Sequence, residues 1–312
     1  MTSLIQVEQL YRFFAGHCAV NNVSFTLERG EILGFLGPNG AGKTTTMQMI
    51  CGNLAPTEGQ IFINGIDILD CPKEAKRELG YLPEVPPVYR DLTTDEFLQY
   101  CASLHRLPRS KITKAVDNAK DRCGLTEVGK RLIGNLSKGY QQRVGIAQAI
   151  LHMPAVIILD EPTVGLDPIQ IREIRELIRE LGKEHGIILS THILPEIQEV
   201  CTRVQIIHQG QIVLNDSIEG LERNMRALSI LIRTQGTPDL ARLYALKGIL
   251  SIDELGENRY RIFHDKESNP AYAIAETAVS LGWGMLELVP EKRSMEEIFI
   301  EITRHSPQTE GE

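Results

Sequence analysis

Gly37-Pro38-Asn39-Gly40-Ala41-Gly42-Lys43-Thr44-Thr45 stands between two apolar stretches. Ile32-Leu33-Gly34-Phe35-Leu36 before it reads as a buried strand, and Thr46-Met47-Gln48-Met49-Ile50 after it reads as a helix ending near Gly52. The spacing fits G-x-x-x-x-G-K-[ST] in the strand–loop–helix setting that gives this pattern its meaning. Glycines let the backbone wrap closely around phosphates, with successive N–H groups pointing inward. The helix N-terminus adds partial positive charge. Lys43 is a compact cation for the β/γ-phosphates. Thr44 offers a hydroxyl to Mg²⁺, which prefers hard oxygen ligands. The competing reading, a glycine-rich turn before an ordinary helix, does not account for that setting.

Around this stretch the composition is that of a globular protein, 42% hydrophobic and 24% charged over 312 residues. That length accommodates one large domain and a smaller one. A net charge of −8 with no basic tail disfavours wrapping of nucleic acid, so none is expected as a partner. The six cysteines are scattered with no C-x-x-C pair, and read as free thiols in a reducing compartment. No run approaches the roughly 18 apolar residues of a membrane span. The start, Met1-Thr2-Ser3-Leu4, lacks the marks of a signal peptide. A cytoplasmic protein is expected, and any membrane role requires a second chain to supply the span.

Toward the N-terminus, Ile5 and Val7, then Val20, Val23, Phe25 and Leu27, alternate as two strands, with Tyr11-Arg12-Phe13-Phe14 between them. Downstream of the loop, a strand at 58–63 ends in an Asn64-Gly65 turn, a hairpin signal. Antiparallel strands therefore accompany the core. Residues 79–89 read as a strand entering a proline-rich loop. From 92 to 153 the pattern is helical: a capping box at Thr93-Thr94-Asp95-Glu96, then apolar stripes on three successive helices. An inserted helical subdomain is expected there. Val156-Ile157-Ile158-Leu159 and Ile187-Ile188-Leu189 are continuous apolar runs, as in parallel strands covered on both faces. A hairpin follows around Gln209-Gly210. Beyond about residue 225 the order is β-α-β-β-α-β plus a helix at 294–304, the ferredoxin-like pattern. The expected division is 1–224 and 225–312.

Five elements in this order resemble the ATP-binding cassette (ABC) ATPases. They are the phosphate loop at 37–45, Gly80-Tyr81-Leu82-Pro83-Glu84, Leu136-Ser137-Lys138-Gly139-Tyr140-Gln141-Gln142-Arg143, the segment from Val156 to Thr163, and Ser190-Thr191-His192. The resemblance covers about 4–220. It implies an α/β P-loop NTPase with an antiparallel β subdomain and the helical insertion, here with the small α+β domain appended. It implies ATP and Mg²⁺ as cofactors. Gly37, Pro38, Asn39, Gly40, Ala41, Gly42, Lys43, Thr44 and Thr45 would cradle the phosphates. Asp160, at the end of a buried strand, and Thr44 would hold Mg²⁺. Glu161 would be the general base and His192 the γ-phosphate switch, with Lys43 as the catalytic cation. Phe14 aligns with the adenine-stacking position, with Tyr11 and Phe13 as alternatives. Ser137 and Gly139 would bind the γ-phosphate of ATP held by a second subunit, so a head-to-tail homodimer or paired ATPase subunit is implied. Asp167 resembles the loop that crosses between the sites, and equally suits a plain helix cap.

Two departures stand out. Glu84 occupies a place usually held by Gln, where it is counted with the nucleotide and metal residues. Lys138-Gly139-Tyr140 replaces Gly-Gly-Gln. Lys138 of the opposite subunit is expected to offset the charge of Glu84. Both variants, the appended domain and the ending Glu296-Glu297-Ile298-Phe299 are similar to a prokaryotic branch with separate permeases, including exporters. The resemblance thus implies an ATPase subunit that dimerises on ATP and drives an integral-membrane permease from the inner face of the membrane. The alternative is an ABC ATPase acting outside transport.

Overall fold

Alternation of buried and exposed positions produces the first sheet. Strands β1 (Ile5–Phe14) and β2 (His17–Leu27) pair antiparallel, turning Ile5, Val7, Leu10, Val20, Val23, Phe25 and Leu27 inward. β1 runs on through Tyr11 to Phe14, which the sequence placed between strands. Register shifts between Val7 and Phe13 break the period of two there, so the continuation is invisible to alternation. The next strand, β3 (Ile32–Leu36), and helix α1 (Lys43–Ile50) flank the phosphate loop. β4 (Glu58–Ile63) returns to pair with β1. β5 (Ile66–Asp67) folds back on it through Asn64 and Gly65, both at positive φ, which completes the order β2-β1-β4-β5. The computed structural model describes residues 3–224, 229–265 and 268–291. The chain separates into two units, Met1–Ile218 and Glu219–Glu312.

After α2 (Pro72–Arg77) and β6 (Leu79–Leu82) come the helices α3 (Thr94–Leu104), α4 (Arg109–Arg122) and α5 (Lys138–Ile150). The capping box forms as its spacing requires: the Glu96 N–H donates to Thr93 Oγ1 (3.2 Å), and the Thr93 N–H to Glu96 Oε2 (2.8 Å). The chain then alternates β7 (Val156–Asp160), α6 (Pro168–Gly182), β8 (Gly186–Thr191), α7 (Leu194–Val200), β9 (Arg203–His208) and β10 (Gln211–Ser217).

The large sheet has the order β10-β9-β3-β8-β7-β6, parallel except for the β9–β10 hairpin. Every residue of β3, β7 and β8 is buried, as a parallel sheet covered on both faces demands. This topology decides where chemistry can occur. β3, β8, β7 and β6 are consecutive neighbours pointing the same way, so the segments leaving their carboxyl ends share one edge. Those segments carry the phosphate loop, His192, Glu161 and Glu84.

In the second unit, beyond α8 (Ile218–Asn224), lie β11 (Ser229–Thr234), α9 (Leu240–Tyr244), β12 (Ile249–Gly256), β13 (Arg259–His264), α10 (Ala271–Ser280) and β14 (Met285–Glu291). The antiparallel order β12-β13-β11-β14 is the ferredoxin-like arrangement. Ile230, Ile232, Leu243, Tyr260, Ile262, Ile274 and Trp283 form its core. The helix expected at 294–304 and the segment Glu296–Phe299 lie outside the described residues.

Candidate active site

The phosphate loop is shaped by close approaches. A Cβ on Gly37 would sit 2.4 Å from the carbonyl oxygen of Ile207, and one on Gly42 would sit 2.5 Å from that of Ala19. Gly42 also holds φ at +104°, which side chains rarely adopt. It is the N-cap of α1 and supplies no side-chain cap, so the first N–H groups of that helix are free to meet an anion. Lys43 is 6% exposed and folds back over its own loop, its Nζ donating to the carbonyls of Gly37 (2.8 Å) and Pro38 (3.2 Å).

Glu161 follows the last residue of β7. Its φ is +49°, an uncommon conformation for a non-glycine residue, held in place by its N–H donating to the Ser190 carbonyl at 2.8 Å. The carboxylate reaches two neighbours. Lys43 Nζ lies 3.7 Å away, and His192 Nδ1 lies 2.9 Å and 3.0 Å from its two oxygens. Glu161 is nearly buried whereas the His192 side chain is 44% exposed. A cleft of about 400 Å³ is lined by Asn39, Gly40, Gly42, Lys43, Thr44, Thr45, Glu84, Glu161 and His192, with Ala19 and Val164 completing the wall. The sequence did not flag those last two: β2 brings Ala19 from a distant strand, and Val164 is an ordinary apolar residue until the loop folds.

Asp160 lies beneath this surface, fully buried, with no hydrogen-bond partner of ordinary geometry on either carboxylate oxygen. Burial pushes its pKa up, the nearby hydroxyls of Ser190 and Thr44 pull it down, and Glu161 and Lys43 act in opposite directions after them. A buried carboxylate with both oxygens unsatisfied beside a threonine hydroxyl is a donor set suited to a hard divalent cation.

The remaining expected residues are not among the lining of this cleft. Ser137 caps α5, its hydroxyl oxygen accepting from the Tyr140 N–H at a long 3.4 Å, and Gly139 lies in the first turn, where a Cβ would crowd the Gln170 amide. Asp167 caps α6, accepting from the N–H groups of Ile169 (3.0 Å) and Gln170 (2.9 Å). Phe14 is 42% exposed, with the Arg12 guanidinium 4.5 Å from its ring centroid. Tyr11 and Phe13 stack on one another. Glu84 lines a second cleft of about 510 Å³, together with Lys138, Arg90, Gln141, Gln142 and Val164. Glu84 and Lys138 therefore line one cleft within the chain.

Comparison with known proteins bears on this geometry. Residues 20–164 match the family described as ABC transporter. The bacitracin transport ATP-binding protein BcrA of Bacillus licheniformis is 40% identical over 72% of this chain and 74% of that protein. The uncharacterized ABC transporter ATP-binding protein YcbN of Bacillus subtilis is 33% identical over 97% of both chains, the second unit included. Among solved structures, cbiO1 of Clostridium perfringens, part of the ABC transporter complex cbiONQ, superposes with a TM-score of 0.65. It is 29% identical over 71% of this chain and 91% of that one.

Proposed function

The chain belongs to the ATP-binding proteins of ABC transporters, a family of ATPases, and on that premise we propose that it drives a separate membrane permease, of exporter type, by closing as a dimer around ATP. One observation carries the catalytic half of this reading. Lys43, Glu161 and His192 converge at one edge of the parallel sheet, with Glu161 within 3.7 Å of Lys43 and 2.9 Å of His192.

In this reading the loop from Gly37 to Thr45 and the N-terminus of α1 bind the phosphates. On ATP arrival Lys43 Nζ exchanges its own loop's carbonyls for phosphate oxygens. Glu161 takes a proton from the attacking water, its carboxylate aimed by His192 and by the fixed backbone of residue 161. His192, held through Nδ1, presents Nε2 toward the γ-phosphate. Thr44, Asp160 and Glu84 would hold Mg²⁺, which neutralises phosphate charge when bound. Phe14 stacks on adenine. Ser137 and Gly139 complete the site of a second subunit, and Asp167 lies between the two sites.

Among the described residues no helix is long and apolar enough to cross a membrane. In this reading the permease supplies the span and this chain sits peripherally at the cytoplasmic face. Val85, Tyr89, Tyr100 and Leu104 are exposed on α3 and the loop before it, 77% and 63% for the two end members, and give the permease an apolar landing. The 219–312 unit is an accessory domain. The decisive experiment is Glu161→Gln. It is expected to bind ATP and dimerise while hydrolysis falls by roughly 10²–10⁴-fold, the range of a positioned base. Near-normal turnover removes Glu161 as the base.

A further inference from the structure

Glu196 is 1% exposed, and no lysine or arginine pairs with it among the described residues. It lies in the first turn of α7, four residues beyond His192. One carboxylate oxygen accepts from the Thr163 hydroxyl, and the other accepts from the Thr191 hydroxyl at 2.9 Å. Thr191 Oγ1 in turn accepts the Ile193 N–H at 3.1 Å. Both threonines are buried. Their places matter. Thr163 is two residues after Glu161, and Thr191 immediately precedes His192. A buried carboxylate with no cation is costly, and an apolar side chain of similar volume would serve the core at least as well. Packing therefore does not account for glutamate here, whereas holding two loops in register does.

We propose that Glu196 is a positioning residue for hydrolysis, pinning the loop after Glu161 to the strand end before His192. This rests on the roles given to Glu161 and His192 above. The contact between those two side chains joins two neighbouring strands beyond the point where the sheet's own hydrogen bonds end. The Glu161 N–H still reaches Ser190, but past residue 161 the loop turns away toward Val164. The Thr163–Glu196–Thr191 bridge closes the gap from behind. Without it, each side chain keeps its local conformation and loses its fixed separation from the other. An error near 1 Å between reacting groups costs on the order of 10²-fold in rate.

The test uses the full chain with ATP and Mg²⁺ and reads kcat, KM for ATP and the melting temperature for Glu196→Ala, Glu196→Gln, Thr163→Val and Thr191→Val. The alanine variant is expected to lose kcat by about 30- to 100-fold with KM changed less than about threefold, the split expected when alignment rather than binding is lost. The amide of Gln can accept from one threonine and donate to the other, so Glu196→Gln is expected to recover most of kcat. The isosteric valine variants, which keep the core filled, are expected to lower kcat, and each to add little to Glu196→Ala. The inference is overturned if the alanine variant keeps its kcat, if kcat and ATP binding fall together, or if Gln is as inactive as Ala. Should Glu196→Ala not fold, the two valine variants decide in the same way. An inactive wild type would instead sink the ATPase reading itself, and normal wild-type turnover with unaffected Glu196 variants would sink this inference alone.

Discussion

On the proposed function the carboxyl edge of the parallel sheet and the N-terminus of α5 both meet phosphate, and they are finished to different degrees. At the sheet edge Lys43 already holds two carbonyls and Glu161, and Glu161 already holds His192. At α5 the Ser137 oxygen accepts only the long 3.4 Å bond from Tyr140, leaving its own O–H to donate elsewhere. At the sheet edge Lys43, Glu161 and His192 find partners within the chain, with Asp160 beneath them the exception, whereas at α5 the serine hydroxyl is left open. On the proposed function, the difference teaches that half of the site is preorganised by folding, and that the other half would be completed by a second subunit.

Mixing subunits gives the largest effect that could break this comparison. Ser137→Ala is expected to lower hydrolysis by roughly 10²-fold, as loss of a preorganised donor does, without loss of ATP binding by the isolated chain. Glu161→Gln is expected to be nearly inactive by itself. Mixed in equal amounts, the two variants should regain roughly a quarter of wild-type activity, because half of randomly paired dimers contain one intact composite site. Failure to recover on mixing would place Ser137 and the phosphate loop in separate roles.

Acid should weaken the fold through a buried histidine stack behind the C-terminal end of α5. His152, two residues past α5, stacks on His105 with ring centroids 3.9 Å apart, and donates to the Leu79 carbonyl. Burial above all, then the charge of His105, pushes its pKa down from 6.5 to about 4, with the Leu79 carbonyl opposing and His185 adding a smaller push. The folded state thus binds this proton less readily than the unfolded chain. The contribution is fully present above pH 6.5 and is lost as pH falls toward 4, by up to about 3 kcal/mol. Thermal melting between pH 7 and 4 should show this slope, and His152→Gln, which keeps a donor for Leu79, should flatten it. An unchanged slope would relieve the histidine stack of the role.

The smallest effect sharpens the boundary between the two regions. Glu84 and Lys138 line one cleft, so Glu84→Gln and Lys138→Ala should couple in a double-mutant cycle of ATPase rate by about 0.5–1 kcal/mol. Coupling that survives in a dilute monomer, read through ATP affinity, assigns it to one chain. Coupling seen only in the dimer restores the contact across subunits.

Much of this was legible locally. The phosphate loop, the capping box at Thr93 and Glu96, and the turns at Asn64-Gly65 and Gln209-Gly210 are written in adjacent residues, where backbone geometry and short hydrogen bonds decide. Glu161 and His192 were legible as residues leaving apolar runs, although nothing in either run states that β7 and β8 are neighbours. Ala19 and Val164 were not legible, because each is apolar and acquires its place from strands far away in sequence. Glu196 reads as a first-turn acidic residue on a short helix, and only burial against two threonines distinguishes it. α9 is a short helix, Leu240–Tyr244: Asp239 caps it at one end, and Gly248, at φ +87°, turns the chain just beyond the other.

The positive φ of Glu161 bears on how such a sequence drifts. A backbone held in the left-handed region costs a non-glycine residue on the order of 1–3 kcal/mol, and glycine or asparagine would relieve much of that. Selection for thermal stability alone would therefore move residue 161 away from glutamate, and selection for turnover alone would, on the proposed role of Glu161 as base, hold it there. The same position can serve as a gauge of history: in a lineage that has ceased to hydrolyse ATP, it should be among the first to relax.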